Sequence, residues 1–130
     1  MKSSKGFTVV ELLFIVLILI AASVIFFIQR NNVEVAARDA QRKTAVNAMY
    51  YSLEEVYYGK NKFYPVSIDS KLLSSVDPEL FTDPSGNTFG SSTSQYHYEG
   101  TNCTNNQCKS YSLRADLENE DDYIKTSRHS

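Results

Sequence analysis

The chain has 130 residues, 42% of them hydrophobic and 22% charged, and its formal net charge is −2. That length holds one domain and no more. The only basic cluster beyond the apolar span, Arg38, Arg42 and Lys43, shares its helix with acids, so no direct nucleic-acid site is expected. At the N-terminus, Lys2 and Lys5 stand before a long apolar run with no acid beside them. Basic residues favour the cytoplasmic side, which keeps this end inside and puts everything after Ile28 outside. No charge occurs from Leu12 to Ile28. At about 1.5 Å per residue, a helix over the run covers roughly the 30 Å hydrocarbon layer of a bilayer. Residues 7–28 are therefore predicted to span a membrane.

Two features of this span are not explained by anchoring. A carboxylate near the centre of an inserted helix costs about 2.5 to 3.5 kcal/mol, yet Glu11 sits in the first turns and needs a partner. Gly6 lies at the border and has no side chain to obstruct a protease approaching its carbonyl. An ordinary secretory signal would use Ala21-Ala22-Ser23 as its cleavage site, but Val24 to Ile28 continue the apolar run past it. A plain signal anchor fits the length and leaves Glu11 without a reason.

The stretch Gly6-Phe7-Thr8-Val9-Val10-Glu11-Leu12 resembles the processing signal of type IV pilins and of the pseudopilins of type II secretion and competence systems. The shared pattern is a short basic leader, a glycine, an aromatic residue, a glutamate one helical turn later and an unbroken apolar run. The resemblance implies that a membrane-bound prepilin peptidase cuts between Gly6 and Phe7 and methylates the new amine of Phe7. It implies further that Glu11 pairs with that amine on a neighbouring subunit and sets axial register in a filament, with Thr8 assisting at the site. Such a pair would supply the cation that Glu11 lacks.

Beyond Ile28 the sequence turns polar, but no Gly or Pro interrupts it before Gly59. Ala, Glu, Arg and Gln dominate residues 33–58 and favour helix. Val46, Met49, Leu53 and Val56 follow helical spacing and predict one buried stripe. The membrane helix is thus predicted to continue outward, for about 78 Å in all. Asn31 and Asn32 are its weakest point, where a kink would form. The mixed-charge run Ala36 to Arg42 and the later Gly59 to Pro65 also look like bacterial pilins and pseudopilins. Tyr50, Tyr51, Tyr57 and Tyr58 make an aromatic patch suited to core and interface packing. Gly59 is expected to end the helix, with Lys60 and Lys62 favourable beside it.

From Val66 to Thr82 the pattern is short and broken, with N-cap candidates at Ser67 or Asp69 and at Asp77 before Pro78. Asp83 to Asn87 reads as a turn. Tyr96 and Tyr98, then Tyr111, Leu113, Ala115 and Leu117, alternate with polar residues and predict antiparallel strands joined by a hairpin from Gly100 to Lys109. A third strand is expected from Thr88-Phe89 or Tyr123-Ile124. Cys103 and Cys108 are an even pair beyond the membrane and read as a disulfide; as a metal site they would be half of one. Asp83, Asp121 and Asp122 are the weak calcium candidates, because some pseudopilins carry calcium in their C-terminal loops, but their spacing fits no ligand loop. Neither His97 nor His129 has a nucleophile to pair with, so no catalytic residue, no cofactor and no enzymatic role are expected.

These readings combine into an α+β fold, the lollipop of the pilin family, in which a long N-terminal α-helix packs in its outer half against a small antiparallel β-sheet. The expected organisation is a leader at residues 1–6, a membrane or fibre-core helix at 7–28, an outer helix at 29–58 and a globular domain at 59–130. The expected role is a structural subunit of a type IV pilus-like filament; the alternatives are a pseudopilin of a secretion or DNA-uptake machine and a simple membrane-anchored binding module. The partners implied are the prepilin peptidase, copies of this chain and other pilins, the pilus assembly platform, and the membrane before assembly. The chain would pass from the cytoplasmic membrane to a surface pilus or a cell-envelope pseudopilus.

Overall fold

The computed structural model describes residues 6–129, so the leader lysines Lys2 and Lys5 lie outside the described residues. The fold is α+β: one long N-terminal helix and a three-stranded antiparallel sheet. The chain divides into two compact units, Met1–Val35 and Ala36–Ser130.

Helix α1 runs over Val9–Tyr51, 43 residues, and passes through Asn31 and Asn32 without a break. Asparagine is a mediocre helix former, at a few tenths of a kcal/mol each, and no residue here removes a backbone donor. Arg30 and Glu34 also span the two asparagines with an ion pair of 3.1 Å at helical spacing. The irregularity comes later. Residues Ser52–Tyr57 form a π-helical turn, followed by a last α turn, α2, over Tyr58–Asn61.

The π turn inserts extra arc into the helix and changes which residues face the core. Val46, Met49 and Leu53 are fully buried as their spacing predicts, but Val56 is 40% exposed. Glu54 is buried instead. Its carboxylate accepts hydrogen bonds from the Tyr64 hydroxyl at 3.0 Å, the Tyr111 hydroxyl at 2.8 Å and the Arg128 backbone N–H at 3.1 Å. Burial first, and then the Glu54 charge, push both tyrosine hydroxyls well above their ordinary value, so they stay donors. The helix also outlasts Gly59. It stops where Lys62, not the glycine, takes the left-handed conformation at φ 63°.

Strands β1 (Tyr96–Thr104), β2 (Gln107–Ala115) and β3 (Tyr123–Thr126) pair in that order, all antiparallel. The strands are longer than the alternation of tyrosines and leucines predicts, because residues 100–104 and 107–109 pair as well. The connection shrinks to Asn105-Asn106, both at positive φ (51° and 61°), which is the two-residue turn whose twist suits a hairpin. Asparagine tolerates that conformation better than other non-glycine residues. Of the two candidates for a third strand, 123–126 forms it, while Thr88 makes only an isolated bridge to Thr82. Asp77 caps a 3-10 turn at Pro78–Phe81 as expected, and Asp69 caps a single turn through Lys71 and Leu72.

Within the second unit the core joins Met49 and Leu53 of the helix to Tyr64, Leu73 and Phe81 of the connection and to Tyr111, Leu113 and Ala115 of the sheet. Cys103 and Cys108 face each other across the hairpin and are bonded. Gly100 packs against the sulfurs: a Cβ there would lie 2.7 Å from Cys108 Sγ and 3.1 Å from the Pro65 carbonyl. The disulfide closes a short loop already fixed by the asparagine turn and by reciprocal Tyr64–Cys108 backbone hydrogen bonds of 2.9 Å. Replacing both cysteines with alanine is therefore expected to cost no more than about 2 kcal/mol. Thermal unfolding of the full chain in detergent, read in the near-ultraviolet tyrosine signal, checks this; loss of that signal at room temperature would contradict it.

Candidate processing and assembly site

The site begins one residue before the first that helix geometry dictates. Thr8 precedes α1, its carbonyl accepts the Leu12 N–H at 3.1 Å, and its Oγ1 accepts the Glu11 N–H at 3.3 Å. Thr8 is therefore the helix N-cap, and Thr8-Val9-Val10-Glu11 has the spacing of a capping box. That signal is readable in the sequence and gives Thr8 a local role beside the register role expected of it. By fixing the first turn, it fixes where Glu11 and the backbone of Gly6 and Phe7 stand.

Gly6 is exposed, and a Cβ added there would meet nothing within 4 Å. Phe7 is 71% exposed. Glu11 is exposed too, and its carboxylate has no hydrogen-bond or ion-pair partner among the described residues. One helix in the described chain, Val9–Asn61, is long and apolar enough to cross a membrane, and none of its most apolar window is covered by the rest of the protein. The arrangement is thus a solvent-open backbone, an unpartnered carboxylate one turn into the helix, and a naked apolar surface behind it. Chemically it offers an accessible peptide bond and a carboxylate.

The calcium candidates are not brought together. Asp83 is buried, and its carboxylate accepts backbone N–H groups from Ser85 at 2.9 Å, Asn87 at 3.0 Å and Gln95 at 3.0 Å. Burial alone would push this carboxyl up, but those N–H donors outweigh it and hold it below the ordinary range. Its work is to tie the Pro84–Asn87 turn to the start of β1. Asp122 pairs with Arg114 at 3.2 Å, and Asp121 stands exposed. Among the described residues no group of three His, Cys, Asp or Glu side chains could hold a metal ion. His97 pairs with Asp116 at 2.8 Å on the outer face of the sheet. His129 does not fray: its ring stacks on Tyr58 at 4.2 Å.

A polar cluster that sequence spacing does not reveal lies in the second unit. Asp39 accepts the backbone N–H of Glu118 at 3.0 Å and of Asn119 at 3.1 Å, and pairs with Arg42 at 2.7 Å. Arg42, fully buried, also reaches Gln95 at 2.7 Å and Glu118 at 2.8 Å. Only the run of mixed charges from Arg38 to Lys43 hints at it in the sequence. Comparison of the chain with protein-family models, with curated proteins and with solved structures finds no match.

Proposed function

We propose that the chain is a structural subunit of a type IV pilus-like filament, made as a membrane-inserted precursor with its N-terminus in the cytoplasm and cleaved between Gly6 and Phe7. The observation that carries this reading is the Glu11 carboxylate, without a partner among the described residues, at the head of an uncovered apolar helix. A charge in that position is costly in lipid and gains a partner only when a new α-amine is supplied beside it. Cleavage at Gly6, where the backbone is open, would create such an amine on Phe7 of a neighbouring subunit, where the peptidase would also methylate it. The apolar helices would then leave the bilayer and cover one another in the fibre, while the sheet-bearing unit forms its outer surface. The role is structural, and no chemistry beyond processing is asked of the chain.

The test is the N-terminal sequence and intact mass of the chain, taken separately from cell membranes and from material sheared off the cell surface. The sheared chain is expected to begin at Phe7 and to carry one extra methyl group. A chain that begins at Phe7 but stays with the membranes would favour the pseudopilin of a secretion or DNA-uptake machine. A chain that still begins at Met1, or one cut near Ser23, would overturn both.

A further inference from the structure

Within the unit Ala36–Ser130, the Tyr64–Cys108 backbone hydrogen bonds zip the segment after the helix to β2, and a cleft of about 390 Å³ opens beside that seam. Tyr58, Lys62, Phe63, Thr104, Gln107 and Lys109 line it. The two lysines are 47 positions apart in the sequence, counting from Lys62 to Lys109, which is why no basic cluster is visible there. Neither stretch that forms the cleft contains an acid: none occurs from Val56 to Ile68 or from Gly100 to Ala115. Both lysines are exposed, and neither forms an ion pair among the described residues. In a chain with net charge −2 this is a local excess of unneutralised positive charge.

The backbones that carry the two cations are fixed. Lys62 holds the left-handed position that ends the helix, with its N–H bonded to the Tyr58 carbonyl at 2.9 Å. Lys109 follows the disulfide-bonded Cys108 on β2. The Thr104 hydroxyl and the Gln107 amide, also on the rim, make no hydrogen bond inside the described chain and remain available to a ligand. The volume falls in the usual range of small-ligand clefts, about 300–1,000 Å³, and suits one sugar-sized unit. Lysine is a compact point charge and a common phosphate binder.

The aromatic rings decide against a nucleobase. Tyr58 already stacks on Tyr64 at 4.9 Å and on His129 at 4.2 Å, and carries the Lys62 ammonium 5.7 Å over its ring. Phe63 sits edge-on to Tyr57 at 5.9 Å. Single-stranded nucleic acid binds through open aromatic platforms, whereas Tyr58 is already stacked on Tyr64 and His129 and Phe63 is held against Tyr57. We propose that this cleft binds a phosphorylated sugar or polyol unit, the phosphate between Lys62 and Lys109 and the hydroxyls against Thr104 and Gln107. The cleft lies wholly within the unit Ala36–Ser130, so the proposal stands or falls independently of the filament reading.

The experiment is a calorimetric titration of the full chain, in uncharged detergent micelles at low salt, with ribose 5-phosphate. Saturable binding at one site is expected, weakened at least about tenfold by Lys62→Gln and by Lys109→Gln and diminished by added salt. Lys71→Gln, at an exposed lysine outside the cleft, is expected to change nothing. Because all three side chains are exposed, the variants should keep the fold, which an unchanged near-ultraviolet tyrosine spectrum verifies. Absence of saturation, equal binding of ribose without its phosphate, or an equal loss in Lys71→Gln would each overturn the proposal. Tighter binding of an oligothymidylate with the same lysine dependence would overturn it too, by assigning the cleft to nucleic acid.

Discussion

Replacing Glu11 with alanine is expected to remove assembled filaments while leaving processed chain in the membrane. Two effects act in the same direction. On the filament reading, the carboxylate is costly in the bilayer, though less so in the first turn than at a helix centre, so its removal makes the inserted subunit more comfortable where it is. In the filament the alanine has nothing to offer the α-amine of the neighbouring Phe7, which is then left uncompensated. Even about 1.4 kcal/mol changes an equilibrium about tenfold for each contact, and every subunit added to a helical polymer makes the contact anew. Sheared filament should therefore fall at least about a hundredfold at constant chain level. Glu34→Ala is the matched control, since Glu34 is exposed and already paired with Arg30 at 3.1 Å. It is expected to assemble normally. Glu11→Gln separates charge from size: if the amide restores filaments, the carboxylate is not the register contact. Normal filaments from Glu11→Ala would overturn the register role of Glu11, and a parent chain that itself forms none would leave a membrane-anchored module.

What is legible in the sequence is what local chemistry decides. The apolar run, the continuous helix without Gly or Pro, the alternating tyrosines and leucines of the strands and the cysteine pair all follow from residues near one another, and all appear in the structure. The turn at Asn105-Asn106 is equally local and readable, yet two asparagines announce it less loudly than a glycine would. The π turn is different in kind. Val56 fits the helical stripe and Glu54 does not, but Tyr64, Tyr111 and Arg128 approach from elsewhere in the chain and draw the carboxylate inward. No window of helix sequence contains that cause. The same holds for Gly59 and Lys62, where the helix end is set by the Tyr64–Cys108 pairing just beyond it and not by the residue best suited to stop a helix. At the N-terminal end the threonine cap is legible because Thr8 and Glu11 lie within one helical turn.

Asp39 illustrates the long-range case, since the Glu118 N–H it accepts is 79 positions away, and it carries the largest expected effect on stability. Asp39 is 2% exposed and Arg42 is fully buried, so Asp39→Ala leaves a buried guanidinium with only Gln95 and Glu118 as partners and frees the backbone between β2 and β3. Removing one partner of a buried pair costs about 3 to 5 kcal/mol, which for a unit of this size lowers the melting temperature by more than about 10 °C. Lys43→Ala breaks only the partly exposed pair with Glu120 and should leave the melting temperature close to that of the parent. The pH dependence is a second, independent readout. Burial alone would push the Asp39 carboxyl up, but the Glu118 and Asn119 N–H groups and the Arg42 guanidinium outweigh it and hold it below its ordinary 3.8. Glu118, beside Arg38 and Arg42, is held at about 2 against an ordinary 4.5. Carboxyls lowered in this way stabilise the fold fully above their unfolded values, and the contribution disappears as the pH falls through the lower folded ones. The parent should therefore lose stability steeply from about pH 4.5 down to about pH 2. In Asp39→Ala that acid slope should be shallower, because Asp39 is gone and Glu118 has lost an anchored loop, while the lowered Asp83 carboxyl still contributes. Asp39→Asn keeps an acceptor for the N–H groups without the charge, and is expected to melt between the two while sharing the shallow slope. Nine tyrosines, and no tryptophan to obscure them, make the near-ultraviolet signal a direct monitor of this unit. If Asp39→Ala melts with the parent and keeps the parent's acid slope, the sheet alone holds the β2–β3 connection, and the buried pair contributes position without stability.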